Sequence, residues 1–157
     1  MTGQVNTARR YKLDFRALMA QCEENFQRLS QLLALLPEDQ AQLVVRLQGS
    51  AGRPRELRIT VRERCRYTTM LDLAMAAPHH QLPDTEMQVR LYHDARTAEV
   101  TAMSGYRRAA ARYQYPNDAM HQQDEKHQWN RFLGDWLANV KRHGHLTRLV
   151  WQGADSL

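Results

Sequence analysis

From Asp14 onward, apolar side chains recur at intervals of three and four: Phe15, Leu18, Met19, Cys22, Phe26, Leu29, Leu33 and Leu36. This spacing lines them up on one face of a helix with about 3.6 residues per turn. Asp14 is the expected N-cap, and Pro37 the stop, because proline has no amide proton to continue the ladder. The first ten residues show no periodicity, which predicts a mobile tail over residues 1–10. Beyond Pro37 the period changes to two. Residues 42–47 read as a first strand and residues 49–54 as a turn. In residues 56–62, Leu57, Ile59 and Val61 alternate with Arg58, Thr60 and Arg62. A turn over residues 63–66 leads to a strand over 67–75, and a proline-bounded loop precedes another over 86–93. Residues 97–103 answer it, and residues 106–115 offer a sixth strand, although Ala109-Ala110-Ala111 also suits a helix. The helical spacing returns in Trp129, Phe132, Leu133, Trp136, Leu137 and Val140, with Asn117 as N-cap and Gly144 just past the end.

The pattern predicts an α+β fold: an antiparallel sheet of five or six strands, flanked by an N-terminal and a C-terminal amphipathic helix packed on its apolar face. A chain of 157 residues suits one core, so residues 11–157 are expected to form a single domain. No apolar run approaches the length of about 18 residues that a membrane span needs, and the first 30 residues lack the apolar core expected of a signal peptide. Two cysteines are too few for a disulfide framework and point to the cytoplasm. Cys22 sits within the helical stripe, as expected of a packed core thiol.

The chain carries 22 basic and 17 acidic side chains, a formal charge of +5. Residues 1–40 and 116–157 each hold five of either sign, whereas residues 41–115 hold twelve arginines against seven acids. The whole excess therefore lies in the sheet region, as arginine, whose planar fork grips phosphate or carboxylate with two parallel bonds. Arg58, Arg62, Arg64 and Arg66 share parity and would line one face of an unbroken strand; a turn near Cys65 leaves Arg58 and Arg62 as the surer pair. With Arg90 and the aromatic residues Tyr92 and Tyr113 this defines a candidate anion-binding surface: Arg62, Arg66, Arg90, Tyr92 and Tyr113. Nucleic acid is disfavoured as a partner, since neither an RNP pattern nor a KH loop nor a zinc knuckle is present and the charge is modest.

A two-residue turn at Ala95-Arg96 would pair His93 with Ala98 and Tyr92 with Glu99, turning His93 to the core and Asp94 away from it. In the last helix, the core-facing stripe extends backward through Glu125 and Lys126 with His121 at its edge, so its first two turns become polar. Glu125 with His121 or His93 is thus the candidate acid–base set. The histidine and carboxylate spacings lack the paired motifs of a di-iron bundle and the HExxH of a zinc hydrolase, so no metal is expected, and no motif calls for a cofactor. The P-loop, GxGxxG and GxSxG patterns are missing as well.

Five blocks together resemble the YqiB-like family of small bacterial proteins: Cys22-Glu-Glu-Asn-Phe26, Arg66-Tyr-Thr-Thr69, residues 89–95 with Ala98-Glu-Val100, residues 111–117, and residues 121–137. The likeness runs from about Tyr11 to Gly144; the N-terminal segment and residues 37–55 depart from it. It implies a soluble cytoplasmic protein of proteobacteria. The family is uncharacterised, so it brings no catalytic or binding residues. The expected function is a non-enzymatic module for a small anionic ligand, nucleotide-like or phosphorylated. The alternatives are an acid–base or hydrolytic enzyme built on Glu125, and an adaptor for a protein partner or a homodimer.

Overall fold

A computed structural model describes residues 3–47, 55–76, 83–105 and 118–151, with side chains at 15–47, 55–76, 83–105 and 125–142. Its elements are α1 (Gly3–Leu33), β1 (Gln40–Leu47), β2 (Arg55–Arg64), β3 (Thr68–Met75), β4 (Thr85–Tyr92), β5 (Thr97–Ser104), α2 (Asp118–His143) and β6 (Gly144–Trp151). The strands form one sheet in the order β5-β4-β3-β2-β1-β6, and every pairing is antiparallel. The fold is α+β, as expected.

Three boundaries differ from the sequence expectation. Helix α1 begins at Gly3 rather than at Asp14; the apolar stripe marks where the helix packs, not where it starts. The sixth strand is β6, at the C-terminal end, on the far side of β1; the expected strand over 106–115 and the cap at Asn117 lie outside the described residues. The β4–β5 connection is a turn over residues 93–96, so Tyr92 pairs with Thr97 and Leu91 with Ala98, two positions from the expected register. His93 therefore lies in the turn and is exposed, but its ring still turns to the helix side, edge-on to Phe26.

One face of the sheet is the core. Leu43, Ile59, Leu73, Met87 and Met103 run across it as successive register partners, and all are buried. Cys22, Phe26 and Leu29 of α1 and Trp129, Leu133, Trp136, Leu137 and Val140 of α2 are buried as well. Alternation sends Arg46, Arg58, Glu86, Gln88 and Arg90 to the opposite face, where they are exposed. Phe15 and Met19, at the N-terminal end of the expected stripe, are exposed.

The two helices approach closely through polar groups. Gln21 Nε2 donates to Asn25 Oδ1 (2.9 Å), Asn25 Nδ2 to the Asn130 carbonyl (3.0 Å), and Arg28 Nη1 to the Gly134 carbonyl (3.3 Å). A Cβ at Gly134 would meet the Gln21 amide, the movable end of a flexible side chain, which would have to swing aside. Asn130 Oδ1 in turn accepts the backbone amide of Val100 at 3.0 Å. Val100 lies on β5, at the edge of the sheet, and this bond occupies a donor that would otherwise invite strand addition.

Candidate functional site

Strand β2 brings Arg62 to the outer face at a β-bulge: Val61 pairs with Leu71 and Glu63 with Met70, leaving Arg62 as the extra residue. The bulge reverses the alternation after it, so Arg64 leaves the arginine row, and Arg64 Nη1 instead donates to the Glu38 carbonyl at 3.1 Å. A second bulge falls in β5, where Gln88 pairs with Ala102 but Val89 with Val100. The skipped residue, Thr101, donates from Oγ1 to the Gln88 carbonyl at 3.3 Å. Bulges re-aim side chains and open irregularities in an otherwise even surface.

A groove of about 350 Å³ spans β2 to β5 beside these bulges, with Arg62, Asp72, Glu86, Gln88 and Ser104 among its lining residues. Arg62 Nη1 lies 3.0 Å from Asp72 Oδ2, and both side chains keep access to solvent. Exposed pairs of this kind contribute about 0–1 kcal/mol, so a better anion displaces the carboxylate at small cost. Arg62 also lines a hollow of about 120 Å³ with Gln40 and Arg64. There Gln40, 8% exposed, has an Oε1 without a hydrogen-bond partner among the described residues.

Of the residues expected to bind a ligand, Arg62 and Arg90 share the outer face, and Tyr92 ends the same alternation on β4. Arg90 lies against β3, its Nε 3.1 Å from Met70 Sδ. Arg66 stands apart, in the β2–β3 turn, its guanidinium 5.3 Å from the centre of the Tyr67 ring. Tyr113 lies outside the described residues. Sequence reasoning missed Asp72 and Glu86, which pair in register with Gln88 and Ala74 on the outer face.

The acid–base set is dispersed over two elements. Glu125 is half-buried on α2, and the side chain of His121, one turn earlier, lies outside those described. His93, in the β4–β5 turn, has Nε2 2.7 Å from Thr69 Oγ1 and its ring edge-on to Phe26. Lys126, on the polar extension of the α2 stripe, reaches Glu99 Oε1 at 2.8 Å; this hydrogen bond, reinforced by the carboxylate charge, holds its pKa above the usual lysine value. Burial pushes the Cys22 thiol up to about 11, with Glu99 and Glu23 adding to the effect.

Fold and site together define a helix-backed antiparallel sheet with an open, mixed-charge face. Residues 28–146 match the family described as "Protein of unknown function (DUF1249)", and the chain belongs to that family. It is 44% identical over 147 residues to the uncharacterized protein YqiB of Escherichia coli strain K12, covering 91% of this chain and 99% of the relative. The YqiB of strain O157:H7 matches to the same extent. No solved structure matches the chain. Among the described residues, no helix is long and apolar enough to cross a membrane.

Proposed function

We propose that this protein is a non-enzymatic binding module for a small nucleotide-like or phosphorylated ligand, held on the outer sheet face with Arg62 as its phosphate contact. The observation that carries this reading is the groove between the two bulges, where a weakly paired, exposed arginine stands against Asp72 and a second carboxylate, Glu86, shares the lining. Such a mixed lining suits a ligand with both an anionic group and hydroxyl or amino donors. Phosphate replaces Asp72 at Arg62, and Asp72 and Glu86 then accept the donors. A bare inorganic anion would satisfy the arginine and leave both acids facing negative charge. Arg90 and Tyr92 extend the same face along β4 and supply a second cation and a flat contact. The two free thiols, one buried on α1 and one exposed at Cys65, accord with a reducing cytoplasm.

Thermal-shift titration with nucleoside monophosphates and sugar phosphates, each beside its dephosphorylated counterpart, tests the reading. The phosphorylated member of a pair is expected to stabilise the protein and its counterpart not to. Arg62→Ala is expected to weaken binding about 10- to 100-fold, the loss of one charge-assisted contact. Absence of stabilisation across the panel, or equal binding by R62A, would overturn it.

A further inference from the structure

A separate cavity lies between the helices and β1. Its volume is about 330 Å³, within the range of small-ligand sites. Leu32, Leu35, Val45, Leu137 and Val140 wall it with hydrocarbon, while Arg28, Gln31 and Lys141 supply its polar groups. Val45 and Leu137 are buried, whereas Leu35 is 55% exposed, an apolar side chain left facing water.

The charge of this lining is one-sided. The groove on the outer face and the hollow at Gln40 contain carboxylates beside their arginines. So does a further hollow near the β4–β5 turn, where Glu23 and Glu24 accompany Arg96. Among the described residues, the cavity between the helices has two cations in its lining and no acid. Arg28 is already engaged, with Nη2 2.6 Å from Glu24 Oε1 and Nη1 on the Gly134 carbonyl. Lys141 is exposed and has no ion-pair partner among the described residues, so its ammonium is the charge left for a ligand.

We propose that this cavity binds an amphipathic monocarboxylate, its alkyl tail against Leu32, Val45, Leu137 and Val140 and its carboxylate at Lys141. The tail covers Leu35 and gains the transfer free energy of apolar surface leaving water. The single open cation selects the sign of the head group. This site is independent of the Arg62 groove: it lies on the opposite face of the sheet and takes a different chemical class.

The test is methyl NMR on the full chain titrated with octanoate, 1-octanol and octylammonium. Octanoate is expected to perturb the Val45, Leu137 and Val140 methyl signals saturably, and octylammonium to leave them unchanged. Lys141→Glu, an exposed substitution outside the core, is expected to weaken octanoate binding at least about tenfold. Arg62→Ala is expected to leave it unchanged, which separates this outcome from that of the outer groove. The proposal is overturned if octanoate leaves those methyls unperturbed, if the three probes bind alike, or if K141E binds octanoate as the native chain does.

Discussion

Asn130 is 1% exposed, and its hydrogen-bonding groups join three elements. Its Oδ1 accepts from Val100 on β5, its carbonyl accepts from Asn25 on α1, and its Nδ2 donates to the Lys126 carbonyl one turn back on α2 at 2.8 Å. Asn130→Ala strips the Val100 amide of its acceptor inside the fold, which costs about 1–3 kcal/mol. Urea unfolding is expected to show a loss of that size, and unchanged stability would mean that the network does not hold β5 to the helices. Cys22 makes a second prediction at this scale. Its thiol ionises near 9.0 when free and at about 11 in the fold, so the unfolded chain loses the proton first as pH rises. Stability should therefore decline between about pH 9 and pH 11, by up to about 2–3 kcal/mol from this group. Comparison of urea midpoints across that window should give a shallower decline for Cys22→Ala than for the native protein. Neither role was legible in the sequence beyond the burial of Cys22: asparagines beside an apolar stripe read as solvated until the facing helix and strand edge are known.

The elements themselves were largely legible, because burial on one face imposes period two on strands and about 3.6 on helices. What escaped were the places where an extra residue breaks the count. The bulge at Arg62 removes Arg64 from a row that parity assigned to one face. In β6 the register passes over Thr147, which brings Leu146 and Leu149 opposite Val45 and Leu43; a spacing of three conceals the strand from a search for strict alternation. The β4–β5 register was misplaced because a two-residue turn was expected where the chain uses four. Within that turn Arg96 adopts φ 54°, a left-handed conformation that crowds its Cβ. Arg96→Gly is expected to stabilise the protein by about 0.5–1 kcal/mol, offset in part by the greater freedom of glycine in the unfolded chain. A thermal melt checks it, and a lower melting temperature would show that the arginine side chain contributes more than its backbone costs.

Across the whole molecule, the helices and the mixed-charge groove occupy opposite faces of one sheet. The arginine excess of the sheet region was visible in the sequence, and parity correctly grouped Arg62 with Arg90. The acids that temper it were less visible: Asp72 and Glu86 count against the charge only once strand order sets β3 beside β2 and β4 beside β3. In the proposed function this mixed-charge groove sets both where the ligand sits and what chemistry it must have. Amide NMR during titration with a nucleoside monophosphate tests it most directly. The account predicts saturable shifts confined to Arg62, Asp72, Glu86, Gln88, Ser104 and their immediate neighbours, all lost in R62A. Shifts elsewhere with this groove silent, or a spectrum unchanged at saturating ligand, would contradict it.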